Sequence, residues 1–138
     1  MTKDNFILLF SIVFLIFASI SCSDKKVVLE TGEILEGTFN DKNELINGKI
    51  ITPSGVVSVG TFDGKGRLLE GELTTKNGIV AKGKFGDTGN LIEGSLSAPN
   101  GVIIEGTFNP NTGEPIDGKM TSPDGEVSLF KNGVKVID

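Results

Sequence analysis

Glu70 and Glu72 stand two apart in a segment of strand character, which puts both carboxylates on one face about 7 Å apart. Paired acids at such a separation are the tools of glycoside hydrolysis, yet no pocket motif or aromatic sugar platform accompanies them. Asp63-Gly-Lys-Gly66 and Asp87-Thr-Gly-Asn90 have the outline of calcium or phosphate loops. An EF-hand needs twelve residues closed by a bidentate Glu, and a P-loop needs Gly-Lys-Ser/Thr opening a helix, so both read as hairpin tips. A possible acidic line, Asn47, Glu70, Glu93 and Asp117, offers oxygens to a cation, but a solvated, salt-bridged face accounts for it. The 138 residues contain no His, no Trp, no Tyr and one Cys, which excludes a catalytic His, a Cys/His zinc site and an internal disulfide. A net charge of −5 argues against nucleic acid as a partner. No cofactor, metal or catalytic residue is expected, and a non-enzymatic role follows.

The remaining reactive side chain is Cys22. It follows Lys3 and the apolar run Phe6 to Ile20, which is shorter than the ~18–20 residues of a comfortable bilayer span and reads as a signal-peptide h-region. Ser19-Ile20-Ser21-Cys22 resembles a bacterial lipobox, with Ser19 where Leu is usual. The resemblance implies cleavage after residue 21 and lipidation of Cys22. An uncleaved anchor or an ordinary secretory signal are the alternatives. Two or three acyl chains at ~0.8 kcal/mol per CH₂ anchor a protein permanently. In lipoproteins an Asp directly after the cysteine marks inner-membrane retention; Ser23 stands there, so the outer membrane is the favoured location, with surface or periplasmic exposure open. The expected organisation is a signal-peptide helix (1–21), a lipidated tether (22–26) and one domain (27–138).

That domain is a repeat. Gly37, Gly60, Gly83 and Gly106 are each 23 residues apart and open Gly-x-Phe triplets ending at Phe39, Phe62, Phe85 and Phe108. A second glycine column, Gly48, Gly71, Gly94 and Gly118, and a third at 32, 55, 78, 101 and 125 keep the period, with one extra residue in the last unit, placed at Pro110. Each unit holds two short β-branched, apolar segments and no 3.6-residue period. Units are joined by Pro/Asn/Asp-Gly turns such as Thr52-Pro53-Ser54-Gly55, the signature of three-residue hairpin loops.

A four-residue loop Gly64 to Arg67 sets Gly60 opposite Gly71 and Phe62 opposite Leu69. The three-residue loop Lys76 to Gly78 sets Gly71 opposite Gly83. The glycines then form one line across a continuous antiparallel meander. On the same face are expected the four phenylalanines, Ile46, Leu69, Ile92 and Ile116, and Ile50, Leu73, Leu96 and Met120. Glycine lets a ring lie over the neighbouring strand and lets the sheet bend. The opposite face pairs Lys84 with Glu93, Glu36 with Lys49 and Glu105 with Lys119. The predicted fold is all-β: a single curved antiparallel β-meander of about eleven strands, with closure into a barrel as the alternative. Its apolar face needs cover from its own curl, a partner chain or a ligand.

The unit, Gly-x-Phe, a loop, Leu-x-Glu/Asp-Gly and a closing Asn-Gly or Asp-Gly, resembles the MORN repeat or its bacterial variant over residues 32 to about 125. The resemblance implies successive hairpins in an elongated sheet that acts as scaffold or protein-contact module. It departs from the family in lacking the tyrosine before the first glycine, where Leu35, Ser58, Ala81 and Ile104 stand, and the basic turn residues of eukaryotic members. The expected role is a lipid-anchored envelope protein contacting another protein or itself. The alternative is a carrier of an apolar ligand or lipid on the concave Phe/Leu face.

Overall fold

The computed structural model describes residues 24–136; the signal segment and Cys22 lie outside the described residues. Eleven strands follow in chain order: β1 (Lys25–Val28), β2 (Ile34–Phe39), β3 (Leu45–Ile51), β4 (Val57–Phe62), β5 (Leu68–Thr74), β6 (Val80–Phe85), β7 (Leu91–Ser97), β8 (Ile103–Phe108), β9 (Pro115–Thr121), β10 (Val127–Lys131) and β11 (Val134–Val136). They form one antiparallel sheet in sequential order. The sheet is open, with β1 and β11 as its edges, so the barrel alternative is set aside. β1 takes in Lys25 and Lys26, which the sequence assigned to the tether.

Two turn chemistries make the meander. At one end, loops such as Thr52–Val56 and Ala98–Val102 are closed by paired main-chain bonds, with Gly55 N–H donating to Thr52 O at 2.9 Å and Gly101 N–H to Ala98 O at 2.9 Å. Gly55 and Gly101 hold φ of +88° and +90°, as the last residue of such a loop requires. These loops also stack. The Pro53, Pro99 and Pro123 rings lie where a Cβ on Gly32, Gly78 and Gly101 would sit, at 3.1 to 3.3 Å. Gly32, Gly78 and Gly101 thus make room for the proline ring of the next loop, as Gly55 does for the Lys76 side chain.

At the other end the register differs from the sequence expectation. Phe62 faces Leu68, not Leu69, and a bulge falls between Thr61 and Phe62 before Gly60 meets Gly71. The same shift recurs in three other hairpins, pairing Phe39 with Leu45, Phe85 with Leu91 and Phe108 with Pro115. A shorter loop with one bulge and a longer loop without one bring the same glycines together. The shorter loop is the one whose first residue can tie it down. Asp63 Oδ1 accepts from the main-chain N–H of Lys65 and Arg67 at 2.8 and 3.1 Å, and Asn40 Oδ1 accepts likewise from Lys42 and Glu44. In the last full unit the loop between Asn109 and Glu114 is one residue longer, and Pro110, where the extra residue was placed, lies in it.

The bulge decides the core. Leu45, Leu68 and Leu91 are buried beside Phe62, Phe85, Phe108, Ile50 and Ala81, with Phe39, Leu35, Leu73, Leu96 and Ile104 packed partly against them. Ile46 and Leu69, expected on this face, are instead 39% and 45% exposed. Ile92 and Ile116 likewise yield the place facing the phenylalanine, to Leu91 and Pro115. The glycine line is confirmed pair by pair, but its cause differs from the one expected. A Cβ on Gly37, Gly48, Gly60, Gly71, Gly83, Gly94, Gly106 or Gly118 would lie 1.9 to 2.2 Å from a carbonyl oxygen of the hairpin partner, not against a Phe ring. These residues hold φ between +140° and +151°, a region nearly closed to L side chains.

Candidate functional site

Three surfaces are built by this arrangement. The Phe-bearing face is the first. Phe62, Phe85 and Phe108 are at most 7% exposed, and the principal strand contacts run only between neighbours in order. The cover expected for this face therefore comes from the packed side chains of adjacent strands. Near the first hairpins the filling is incomplete: a groove of about 400 Å³ is lined by Leu29, Leu35, Leu45 and Ile50, with Glu33, Glu44 and Lys65 among its polar members. A smaller one of about 180 Å³ lies at Leu73, Ala81, Leu96 and Phe108.

The polar face is the second surface. Lys84 reaches Glu93 at 3.6 Å and Lys119 reaches Glu105 at 3.0 Å, as the register predicts. Glu36 also lies opposite Lys49 as predicted, but Lys26 flanks it on the other side and takes the close ion pair at 2.8 Å. The Lys26 hydrogen bond holds the Glu36 carboxyl below the usual carboxylate range, helped by the charges of Lys26 and Lys49. Glu72, one of the two paired carboxylates, is bound to Lys82 at 2.8 Å, and Glu70 lies opposite Lys84. The supposed acidic line is thus interrupted by Thr61, Lys84 and Thr107 in the register. Asp117 Oδ1 accepts from Asn132 N–H at 2.9 Å, closing the last turn. Across this face near β1 runs a groove of about 480 Å³ whose lining includes Lys26, Glu36, Lys49 and the main chain of Gly37, Gly48 and Gly60.

The third surface is the ladder of loops at the Asp63 end. Arg67 Nε donates to Asp63 Oδ2 at 2.6 Å, and its Nη1 donates to the Asp87 carbonyl at 3.0 Å, clamping two neighbouring tips. Thr88 and Asn90 reach onward to the Pro110 carbonyl. The two segments with a calcium- or phosphate-loop outline are hairpin tips, as read from sequence, and Arg67 engages both Asp63 and Asp87. The Arg67 hydrogen bond lowers the Asp63 carboxyl and raises the Arg67 guanidinium. A lowered carboxyl stabilises the fold above its unfolded value, ordinarily 3.8, and that contribution disappears as pH falls through the lower folded value. The melting-temperature gap between the wild type and Asp63→Asn is therefore expected to be open at pH 7 and to narrow below pH ~4. A gap that stays constant down to pH ~2 would show that the clamp does not depend on the Asp63 charge.

Of the residues singled out from sequence, the four phenylalanines and eight glycines are brought together in one sheet, and Cys22 lies outside the described residues. The sequence reading missed Leu45, Leu68, Leu91 and Ala81 as core. The asparagine or aspartate opening the loops ahead of Leu45 and Leu68 was the available signal, since such a residue favours a short, side-chain-capped loop. No sequence-family model matches this chain, and no curated protein matches it.

Proposed function

We propose that the protein is a non-enzymatic, lipid-anchored envelope protein, held in the outer membrane through Cys22, whose repeat sheet is a contact or scaffold module for another protein or a second copy. The observation that carries this reading is the sheet that packs its own Phe face, with buried Phe62, Phe85 and Phe108, while its polar face stays open along eleven strands. A surface of that kind is suited to contact and leaves the apolar side chains to hold shape. The likeness of the 23-residue unit to MORN repeats supports the same reading. Cys22→Ser is expected to move the protein from the membrane to the soluble envelope fraction and to abolish acyl labelling. Retention in the membrane with undiminished labelling would end the lipobox reading.

The carrier reading keeps one specific support, the groove at Leu29, Leu35, Leu45 and Ile50. Native mass spectrometry of the protein purified from membranes separates the two. The contact module is expected as a bare monomer or a defined oligomer beyond its covalent acyl mass. A stoichiometric noncovalent lipid, lost on Leu45→Gln or Ile50→Gln, would favour the carrier.

A further inference from the structure

The lipobox reading leaves only Ser23 and Asp24 between Cys22 and the start of β1 at Lys25. Three Cα–Cα steps span at most ~11 Å, so a lipid on Cys22 holds the β1 edge at the headgroup layer. The 480 Å³ groove opens there on the polar face, within the size range of small-molecule sites, ~300–1,000 Å³. Its lining includes main chain of Gly37, Gly48 and Gly60 beside Asn47 and Val59, so a ligand meets exposed peptide groups as well as side chains. Its walls carry charges of both signs: Asp24 and Glu36 against Lys26 and Lys49. Lys25 also lines the groove, but its amine is turned to Asn43 Oδ1 at 3.1 Å and lies 5.5 Å from the centre of the Phe39 ring. Lys49 makes no ion pair among the described residues, while Lys26 and Glu36 hold each other at 2.8 Å.

A purely cationic pocket selects an anion; two amines beside two carboxylates select a ligand bearing both charges. We infer that this groove binds the headgroup of a zwitterionic aminophospholipid of the anchoring bilayer, with phosphate on Lys49 and Lys26 and the primary ammonium on Glu36 and Asp24. The inference rests on the proposed lipidation of Cys22 for the source of the ligand, and on the groove alone for its chemistry. Binding opens the Lys26–Glu36 pair and replaces it with two charge-assisted contacts, which seats the sheet on the membrane in one orientation with β1 lowermost.

The test uses the mature protein purified from membranes in detergent, with isotope labelling and nuclear magnetic resonance of its main-chain amides. Three probes are titrated: short-chain phosphatidylethanolamine, short-chain phosphatidylglycerol and free O-phosphoethanolamine. Saturable shifts of Gly37, Gly48 and Gly60 are expected with the first, with affinity at least about fivefold weaker for the second and third. Lys49→Gln and Glu36→Gln are each expected to weaken binding by about fivefold or more, while the amides of Gly94 and Gly106 stay in place and report an intact fold. Equal or tighter binding of phosphatidylglycerol would overturn the zwitterionic assignment, equal binding of free O-phosphoethanolamine would overturn the lipid source, and unshifted groove glycines would overturn the site. The mass of the same sample reports acylation of Cys22 separately. Unacylated protein that still shows the selective shifts would overturn the anchored source and retain the headgroup chemistry, whereas acylated protein without shifts would overturn the site alone.

Discussion

Gly83→Ala is expected to unfold the sheet or leave it barely stable at 25 °C. The new methyl would sit 2.0 Å from the Glu93 carbonyl oxygen and 2.8 Å from the Gly94 Cα, on a residue with φ of +140°. Neither the backbone angle nor the partner strand can yield without parting β6 from β7, where Gly83 faces Gly94. Backbone strain alone costs ~1–3 kcal/mol, and the collision brings the total to about 4 kcal/mol or more, a large share of the ~5–15 kcal/mol that holds an ordinary domain. Gly66→Ala is the matched control. Gly66 also has a positive φ, +87°, but nothing lies within 4 Å of the added carbon, so the loss should stay near 1–2 kcal/mol. Denaturant titration followed by circular dichroism compares the two. A Gly83→Ala loss within ~1 kcal/mol of the Gly66→Ala loss would mean that the close approach of paired glycines does not shape the hairpin.

Phe85→Ala should be nearly as damaging, at about 3–5 kcal/mol. The ring is 7% exposed in a core made by one sheet, and among the described residues no second layer can collapse into the space it leaves. Phe39→Ala should cost less, because Phe39 is only partly buried at the end of the cluster. The same titration can decide the register through neighbours in sequence. Leu68 is 7% exposed and Leu69 45% exposed, so Leu68→Ala is expected to lose ~2–5 kcal/mol and Leu69→Ala under ~1 kcal/mol. The reverse order would restore the four-residue loop that places Leu69 opposite Phe62 and would remove the bulge.

The ambiguity between those two leucines shows where sequence reading stops. Counting residues from Gly60 to Gly71 is satisfied either by a longer loop or by a shorter loop and a bulge, because both absorb the same number of positions. The glycine partners came out correctly under either count, as did the Lys84–Glu93 and Lys119–Glu105 pairs, which lie beyond the bulge. The residues next to the loop did not, and they are the ones that fill the core. The Asx-type bonds of Asp63 and Asn40 favour the short loop, and burial of Leu68 and Leu45 follows from it.

Similarly, the sequence sets Glu36 opposite Lys49 and leaves Lys26 in the tether. Lys26 and Lys49 flank it on β1 and β3, and side-chain reach in the folded sheet gives the close pair to Lys26. The groove beside that pair is invisible from spacing, because it arises from glycine main chain and side chains supplied by separate strands.

By itself the sequence determined the 23-residue period, the eleven strands, their antiparallel order and the pairing of glycine with glycine. All of these rest on local turn chemistry and on alternation along each strand, which repeat with the unit and are set within a few residues. Only the tertiary structure decided that the sheet stays open, that side chains of adjacent strands bury the Phe face, that the bulge selects Leu45, Leu68 and Leu91, and that glycine is required by partner backbone. Those outcomes depend on how closely neighbouring strands and loops approach in three dimensions, a distance that residue spacing along the chain does not contain.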